Sequence, residues 1–313
     1  MKLSIVVSVY NEEAVLGQFY NELTETLSSL GCGQEILFVD DGSSDGSAAL
    51  LDGMVKNDKR VRVIHFSRNF GHEAAMIAGI DHASGDAIVC MDSDLQNPPQ
   101  LLPRLMELCH EGYDIVTMTR NERADGGHAK HITSTLFYRL INRMSDTKMQ
   151  PNASDFFMVS ARVAEVLRID YRERTRFLRG LIQTVGFRTT TLSYSAPQRA
   201  AGSSHYNLGK LASLAFTSIA SFSKAPLKLG IYSALGFGVL SLLLIAYSVV
   251  MWIVDRPVGG YTTLIIFLSA FAAIVLLVLG IIGYYIGLLL DEAKGRPIYI
   301  IESIRGDGKV DCK

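Results

Sequence analysis

Two long apolar runs near the carboxyl-terminal end restrict the fold of this chain more than any other feature. Residues 229–254 and 261–290 contain no charged side chain. At about 1.5 Å of rise per residue, a helix over either run is longer than the roughly 30 Å hydrocarbon core of a bilayer. A buried hairpin in a soluble core is the alternative, but two successive runs of this length disfavour it. The sequence therefore predicts two transmembrane helices.

Basic residues predict the orientation of these helices. Lys224 and Lys228 precede the first run, and Lys294 and Arg296 follow the second, whereas the connector 255–260 holds a single arginine. Because loops rich in lysine and arginine stay on the cytoplasmic side, both termini are predicted to be cytoplasmic. The expected location is the cell (inner or plasma) membrane, as a multi-pass protein.

The segment before the apolar runs also has a periodic pattern. Leu208, Leu211, Ala215, Ile219 and Phe222 recur at helical spacing, with lysines nearby. This is typical of an amphipathic helix in the membrane interface, and a core helix of the preceding domain is the alternative. The predicted organisation is a cytoplasmic domain at 1–205, an amphipathic segment at 206–228, transmembrane helices at 229–254 and 261–290, and a cytoplasmic tail at 291–313.

Three glycines recur along the second apolar run, at Gly280, Gly283 and Gly287. Small residues let membrane helices approach closely. The spacing allows packing against the first run or against another subunit, so a homo-oligomer formed through the transmembrane helices is one predicted arrangement.

The first 205 residues alternate between strand-like and helix-like segments, as in a doubly wound α/β fold. In the first helical segment, Val15, Phe19, Leu23 and Leu27 share one face. A dinucleotide-binding fold is disfavoured, because residues 10–13 lack the glycines of a Gly-x-Gly-x-x-Gly turn after the first strand. The strands predicted for the mostly parallel sheet are Leu3–Val9, Glu35–Val39, Val61–His65, Ala87–Met91 and Ile115–Thr119.

Acidic residues follow directly on two of these strands. Asp40 and Asp41 follow the second strand, and Asp92 and Asp94 follow the fourth. The carboxyl ends of parallel strands meet at the edge where open α/β folds bind ligands, so these carboxylates are expected to form one site. Asp92 and Asp94 suit Mg²⁺ or Mn²⁺ held jointly with substrate phosphates. The alternative for this pair is a helix N-terminal cap with solvated acids.

Charge and cysteine content argue against other kinds of site. The formal net charge of -1 gives no sign of nucleic-acid binding. The four cysteines are scattered without a Cys-x-x-Cys pair, which argues against a zinc site or a disulfide framework and fits a reducing compartment.

Four motifs in the first domain occur in a characteristic order, at residues 9–13, 40–45, 69–72 and 92–99. Together they resemble the family 2 glycosyltransferases of the GT-A fold. Further motifs extend the resemblance over nearly the whole chain, and they are similar to the polyprenyl-phosphate branch, which includes bactoprenol glucosyltransferases and dolichol-phosphate mannose synthases. These motifs are Asp155-Phe156, residues 176–180, residues 199–206, Pro226-Leu227, residues 283–287 and Arg296-Pro297.

The resemblance implies an inverting transfer of a single sugar from a UDP-sugar to undecaprenyl phosphate at the cytoplasmic membrane face. Glucose is the first candidate for the sugar, Mg²⁺ or Mn²⁺ is the implied cofactor, and the product would serve the modification of cell-surface glycans. A non-catalytic sugar-nucleotide-binding membrane scaffold and a transferase with another lipid acceptor remain alternatives. A processive polysaccharide synthase is disfavoured, since the chain lacks a Gln-x-x-Arg-Trp motif.

The resemblance also implies roles for individual residues. Tyr10 would stack on the base, Glu12 would accept from the ribose, and Asp40 or Asp41 would accept from the uracil. Cationic side chains are needed to orient the acceptor phosphate. The implied catalytic residues are Asp94, Asp155, Arg120 and Arg199; the metal ligands are Asp92 and Asp94; the substrate-binding residues are Tyr10, Glu12, Asp40, Asp41, Asp92, Gln96 and Lys130.

Four of these assignments have structural alternatives. Lys130 could be a solvated surface residue, Tyr10 a half-buried aromatic, Glu12 a plain helix cap and Asp155 the partner of a nearby arginine.

Three residues depart from the pattern of the family that the chain resembles. Ser8 stands where proline is usual, Thr184 where many members have tryptophan, and His205 where lysine is common. Thr184 and His205 lie in the part of the chain that the resemblance assigns to acceptor binding. These two departures therefore put the affinity for the acceptor, or its regulation, in doubt.

Overall fold

A computed structural model describes residues 1–120, 153–174, 177–195, 225–254 and 260–306. These residues fall into two compact units. The first unit contains the described residues up to 195 together with 296–306, and the second contains the described residues from 225 to 295. Lys130, Arg199 and most of the predicted segment 206–228 lie outside the described residues.

The first unit contains eight described strands, which form one mixed sheet. They are β1 (Lys2–Val9), β2 (Gly33–Asp40), β3 (Val61–Phe66), β4 (Ala87–Asp92), β5 (Ile115–Arg120), β6 (Ala153–Ser160), β7 (Thr189–Tyr194) and β8 (Ile301–Arg305). Their order in space is β7-β5-β6-β4-β1-β2-β3-β8. Strands β1 to β4 are parallel, whereas β6 and β8 run antiparallel to their neighbours.

Helices pack on both faces of this sheet, because successive side chains of a strand point to opposite faces. Ile5 and Val7 of β1 join one apolar cluster with Phe19, and Val6 joins the other. A Cβ atom on Gly79 would lie 2.0 Å from Cγ1 of Val6, so glycine permits a close approach there. The described helices of this unit are α1 (Glu13–Ser28), α2 (Ser47–Asn57), α3 (His72–His82), α4 (Leu102–His110), α5 (Ala161–Ile169) and α6 (Leu178–Thr184). The predicted doubly wound α/β architecture is confirmed.

All five predicted strands are present, and β6, β7 and β8 were not predicted. Strand β8 follows the second apolar run and pairs antiparallel with β3, with Ile304 opposite Ile64. Just before it, Tyr299 stacks on Phe66 with 5.2 Å between ring centroids and donates a hydrogen bond to Asp81 at 2.7 Å. Part of the segment predicted as a tail, 291–313, therefore belongs to the sheet.

The second unit contains two long helices, α7 (Ala225–Ile253) and α8 (Tyr261–Ala293). The windows 226–251 and 267–293 are long and apolar enough to cross a membrane, with mean hydropathies of 2.3 and 2.6. Phe237 of α7 contacts Phe267 and Phe271 of α8, with ring centroids 5.9 and 5.7 Å apart. A Cβ atom on Gly230 would lie 3.0 Å from Cγ1 of Val278, so the close approach between these helices is at Gly230.

The three glycines singled out in α8 do not make the contact with α7. A Cβ atom added at Gly280, Gly283 or Gly287 would meet no heavy atom of the described residues within 4 Å. These glycines therefore do not pack against the described side chains of the first apolar helix. Their packing against another subunit stays a prediction.

Glu35 is a buried charged residue near the amino end of β2. The ammonium group of Lys2 donates to its Oε2 at 2.7 Å, the N–H of Ser84 donates to its Oε1 at 2.6 Å, and the hydroxyls of Ser4 and Ser84 also donate to it. Burial opposes ionisation, but these donors outweigh it and lower the pKa of Glu35 to about 2. The carboxylate thus connects the amino ends of β1 and β2 with the turn before β4.

We expect Glu35→Gln to remove a pH-dependent part of the stability of the protein. The carboxyl group has a pKa of 4.5 without these contacts and about 2 with them. Its stabilisation is therefore complete above pH 4.5 and is lost as the pH falls towards 2. The shift corresponds to roughly 3 kcal/mol at most.

Thermal unfolding of the full chain in detergent, followed by circular dichroism across this pH range, measures the effect. Glu25→Gln, at an exposed position on α1, is the control and should keep the wild-type pH dependence. The same pH dependence in Glu35→Gln and in the wild type would contradict the assignment.

Candidate active site

The parallel register brings the predicted site residues to one edge of the sheet. In β1, Val9 lies opposite Asp40 of β2, and Ser8 lies opposite Asp92 of β4. The acidic loops after β2 and β4 therefore leave the sheet on either side of the loop after β1. As expected, the two acidic loops lie at the same edge of the sheet.

Asp40 is buried, and protein groups contact both of its oxygens. The N–H of Ser43 donates to Oδ1 at 3.0 Å, and Nδ1 of His65 lies 2.9 Å from Oδ2. Burial opposes ionisation of Asp40, but the hydrogen bonds from His65 and Ser43 hold its pKa below the usual value. Through these contacts Asp40 stabilises the conformation of the loop that follows β2. Its predicted contact with the uracil stays a prediction.

Asp41 connects the loop after β2 to the loop after β3. Its carboxylate accepts hydrogen bonds from the N–H groups of Phe70, at 2.6 Å, and Gly71, at 2.9 Å. Burial raises the pKa of Asp41, and these two hydrogen bonds offset the effect only in part. Gly42 permits the contact between the loops, since its φ is +68° and a Cβ atom there would lie 2.6 Å from the carbonyl carbon of Arg68.

The loop after β1 carries the two residues that are predicted to contact the nucleoside. Tyr10 is 48% exposed. Asn11 has a φ of 55°, and its Oδ1 accepts a hydrogen bond from the N–H of Ser44 at 2.8 Å. Glu12 occupies the N-cap position of α1, yet its side chain makes no capping hydrogen bond. Side-chain capping therefore does not explain Glu12, and its predicted contact with the ribose stays open.

Asp92 and Asp94 lie at the end of β4 and are partly exposed, whereas Ser93 between them is buried. The helical segment that follows begins only at Pro99, so neither aspartate is a helix cap. The amide group of Asn97 donates to Oδ2 of Asp92 at 3.2 Å. The N–H of Gln96 donates to Oδ1 of Asp94 at 3.0 Å.

Two neighbours disfavour the charged form of Asp92. Burial is the largest cause that raises the pKa of Asp92, and the negative charges of Asp155 and Asp94 add to it. His72 and Arg120 act in the opposite direction. A positive charge bound beside these carboxylates would relieve the repulsion between them.

The donor set fits a divalent cation that is shared with a substrate. Within the described part of the chain, no three His, Cys, Asp or Glu side chains form a group that could hold a metal ion. Mg²⁺ commonly binds through one or two carboxylates together with substrate phosphates and waters. The pair of Asp92 and Asp94 suits that mode, with the remaining ligands supplied by a diphosphate.

The hydroxyl group of Tyr194, at the end of β7, connects β7, β5 and β6 with the loop after β4. It donates to Oδ1 of Asn97 at 3.0 Å and accepts from Nε of Arg120 at 3.2 Å. Because its only proton goes to Asn97, the hydroxyl of Ser154 at 3.0 Å is the donor in their contact. Arg120 also donates from Nη1 to Oε1 of Gln96 at 3.1 Å. We call Tyr194, Asn97, Arg120, Ser154 and Gln96 the Tyr194 cluster.

Asp155 lies near the start of β6 and close to Arg179, with 3.7 Å between Oδ1 and Nε. Arg179 also donates from Nη1 to the carbonyl of Ala153 at 3.2 Å. Nearby, Glu73 accepts from the N–H of Leu178 at 2.8 Å. Burial raises the pKa of Glu73, and the charge of Asp155 adds to this effect. The pairing with Arg179 is the structural alternative for Asp155, and its catalytic role stays a prediction.

His72, the first residue of α3, is close to Asp92 and is influenced by the charges of two further acidic residues. Its Nδ1 is 2.8 Å from Oγ of Ser8 and 3.5 Å from Oδ1 of Asp92. Burial opposes protonation of the imidazole, but the charges of Asp92, Asp155 and Glu73 outweigh it and raise the pKa of His72.

Three residues of this site were not predicted as functional. His72 and Asn97 lie inside motifs at 69–72 and 92–99, so the sequence carried a signal for them. Tyr194 ends a strand that was itself not predicted, and no motif marked it. Lys130 and Arg199, which were predicted to orient the acceptor phosphate, lie outside the described residues.

Comparison with known proteins identifies the family. The model of Glycosyl transferase family 2 matches residues 4–168. The uncharacterized glycosyltransferase YkcC of Bacillus subtilis is 40% identical, over 98% of this chain and 95% of that protein. The SfII prophage-derived bactoprenol glucosyl transferase of Shigella flexneri is 37% identical, over 98% of this chain and 100% of that protein.

Among solved structures, the glucosyl-3-phosphoglycerate synthase of Mycobacterium tuberculosis in complex with Mn²⁺ and UDP-glucose aligns with a TM-score of 0.47 at 20% identity. The alignment covers 70% of this chain and 77% of that one. By the match over residues 4–168 and the identity over almost its full length, the chain belongs to glycosyl transferase family 2.

Proposed function

We propose that this protein transfers a single glucose from UDP-glucose to a polyprenyl phosphate at the cytoplasmic face of the membrane. One observation carries the proposal. The similarity to a protein named as a bactoprenol glucosyl transferase covers 98% of this chain, and thus includes the apolar helices α7 and α8 as well as the strand-end carboxylates. A soluble sugar acceptor would not require these helices.

The sheet topology supports two membrane crossings in the proposed arrangement. Strands β1 and β8 belong to one sheet, and the two apolar helices lie between them in the chain. One sheet cannot lie on both sides of a bilayer, so the number of crossings between its first and last strand must be even. Two crossings by α7 and α8 meet this condition and leave β8 on the same side as the proposed cytoplasmic domain 1–205.

The donor would bind at the edge formed by β1, β2 and β4. Asp92 and Asp94 would hold Mg²⁺ or Mn²⁺, which would stabilise the negative charge on the departing diphosphate. Tyr10, because it is exposed, is available to stack on the base. The contacts of Glu12, Asp40, Asp41 and Gln96 with the nucleotide are part of this proposal.

The acceptor phosphate needs orientation more than activation. A phosphate monoester has its second pKa near 6, so at neutral pH an ionised oxygen is available without a strong general base. This oxygen attacks C1 of the sugar from the side opposite to the diphosphate. The new C1–O bond forms as the bond between C1 and the β-phosphate oxygen breaks, so the configuration at C1 inverts. No proton needs to be moved in this step.

Arg120 is the described cation best placed to assist this transfer. The Tyr194 cluster fixes its guanidinium group, and its charge acts on both Asp92 and Asp94. Because a guanidinium group binds phosphate oxygens through paired donors, Arg120 could orient a phosphate next to the carboxylates. Asp155 would help to orient the acceptor, while Lys130 and Arg199 remain predicted contacts for its phosphate.

A panel of radiolabelled UDP-sugars tests the proposed function directly. Purified full chain, undecaprenyl phosphate and Mg²⁺ or Mn²⁺ should move label from UDP-glucose into lipid that an organic solvent extracts. A chelator should abolish the transfer, since the diphosphate would leave without its counter-charge. Label in lipid only from another UDP-sugar would replace glucose, and no labelled lipid from any donor would contradict the proposed activity.

We expect Asp94→Asn to lower the rate of transfer by about 100-fold or more, because the amide cannot supply a charged ligand for the cation. Asp170→Asn, at an exposed position after α5, is the matched control and should transfer at the wild-type rate. Thermal unfolding should be unchanged in both variants. Full activity of Asp94→Asn would disprove the metal assignment.

We expect Tyr194→Phe to lower the rate of transfer by about tenfold or more, while the ring keeps its edge contact with Phe156. Loss of the hydroxyl leaves Nε of Arg120, the hydroxyl of Ser154 and Oδ1 of Asn97 without this partner, at a cost to stability of about 1–3 kcal/mol. Initial rates and the unfolding temperature measure the two effects.

Tyr20→Phe is the matched control for this variant. It removes the hydroxyl that donates to Asp58 at 2.9 Å, a contact between α1 and the turn before β3. This control should lower stability without lowering the rate measured on folded protein. Equal losses of activity in both variants would show that the Tyr194 cluster has no special role in catalysis.

A further inference from the structure

Ser8 is a residue whose presence the proposed function does not explain. It is the second-last residue of β1, and it is buried, with 9% of its surface exposed, at the edge that carries the candidate site. Its hydroxyl group lies between His72 and Asp92.

The hydrogen bonds of Ser8 have a defined direction. Its hydroxyl donates to Oδ1 of Asp92 at 3.4 Å, and its oxygen is 2.8 Å from Nδ1 of His72. Since the single hydroxyl proton points to the carboxylate, Nδ1 of His72 must carry the proton and donate to Ser8. Nδ1 is also 3.5 Å from Oδ1 of Asp92, so both residues act on the same carboxylate oxygen.

The second oxygen of Asp92 has its own donor. The amide group of Asn97 donates to Oδ2 at 3.2 Å, and the amide is oriented by the hydroxyl of Tyr194. Donors therefore contact the carboxylate from two sides, one through β1 and α3 and the other through the loop after β4. A carboxylate held in this way can rotate little about its Cβ–Cγ bond.

We propose that Ser8 and His72 are positioning residues that fix the carboxylate of Asp92 in the orientation in which it binds the cation. The proposal depends on the metal-binding role of Asp92 within the proposed function. Hydrogen bonds to a ligating carboxylate or imidazole commonly change metal affinity by about 10-fold to 100-fold when they are removed. The hydroxyl of Ser8 supplies such a bond here.

A purely structural role for Ser8 and His72 is the competing explanation. His72 begins α3, and α3 packs closely on β1, so a bond between the two residues could serve only to hold the helix on the sheet. In that case removing the bond would lower the unfolding temperature and leave metal binding unchanged. Metal affinity and thermal stability therefore separate the two roles.

Binding of Mn²⁺ to the full chain at saturating UDP, measured by electron paramagnetic resonance against a UDP-only blank, tests the proposal. We expect Ser8→Ala to weaken Mn²⁺ binding by about 10-fold and Ser8→Thr, which keeps a hydroxyl, to bind as the wild type does. Ser4→Ala is the matched control, since it removes a buried hydroxyl at the far end of the same strand. This control should leave Mn²⁺ binding unchanged even if it lowers stability.

Two variants of His72 test the donor independently of Ser8. His72→Asn can place an N–H group near the position of Nδ1 and should retain much of the affinity for Mn²⁺. His72→Leu should lose about 10-fold, as Ser8→Ala does. In activity assays, Ser8→Ala and His72→Leu should need more Mn²⁺ for half-maximal rate, with an unchanged KM for the polyprenyl phosphate at saturating Mn²⁺. If Ser8→Ala does not fold, the comparison of the two His72 variants decides.

The outcomes separate this proposal from the proposed function. Wild-type affinity for Mn²⁺ in both Ser8→Ala and His72→Leu, in a protein that transfers sugar, would overturn the positioning role. Equal loss in His72→Asn and His72→Leu would overturn the assignment of Nδ1 as the donor. Weaker Mn²⁺ binding in the variants of a protein whose wild type transfers no sugar would support the positioning role and contradict the proposed activity.

Discussion

The register of three parallel strands is the constraint on which the candidate site depends. Because β1 lies between β2 and β4, its last residues face Asp40 on one side and Asp92 on the other. A slip of one residue in either pair would turn the side chains of a whole strand to the opposite face. At the far end of the same strands, the carboxylate of Glu35 binds donors from β1 and from the turn before β4. Contacts at both ends of β1, β2 and β4 therefore support the same register.

The polar residues at the site edge are mutually oriented rather than independently placed. Arg120 and Ser154 donate to Tyr194, Tyr194 donates to Asn97, and Asn97 donates to Asp92. Groups from four segments of the chain therefore act on the conformation of one carboxylate. Buried polar networks of this kind cost free energy when one member is removed, because the remaining groups keep their desolvation penalty. The same cost applies to any arrangement that leaves one of these groups unpaired, so the network favours one geometry of the site.

Sequence patterns predicted the part of the fold that consists of contiguous apolar runs. The first five strands and the two long apolar helices follow from periodicity and length alone. Strands β6 to β8 were not predicted, because their pairing in the sheet depends on residues that are distant in the sequence. For example, β7 alternates exposed and half-buried threonines and pairs in parallel with β5. Its neighbours, and not its own composition, make it a strand.

The same distinction holds for the candidate site. Asp92 and Asp94 could be chosen as candidate metal ligands because they follow an apolar run in the sequence. The environment of each carboxylate could not be predicted, since it depends on groups far away in the sequence. Asp40 and Asp41 had identical local signals, yet burial raises the pKa of Asp41 while hydrogen bonds lower that of Asp40. Tyr194 carried no local signal at all.

The late position of β8 in the chain has a consequence for biosynthesis. Strand β3 is complete early, but its outer neighbour β8 emerges only after both apolar helices have been made. Until then β3 is an unpaired edge, and such edges readily pair with other chains. In the proposed topology, the growing protein would therefore pass α7 and α8 to the membrane while its sheet is still open. A chain that stalls before Ile301 would retain an edge prone to aggregation, so insertion and completion of the sheet are linked in time.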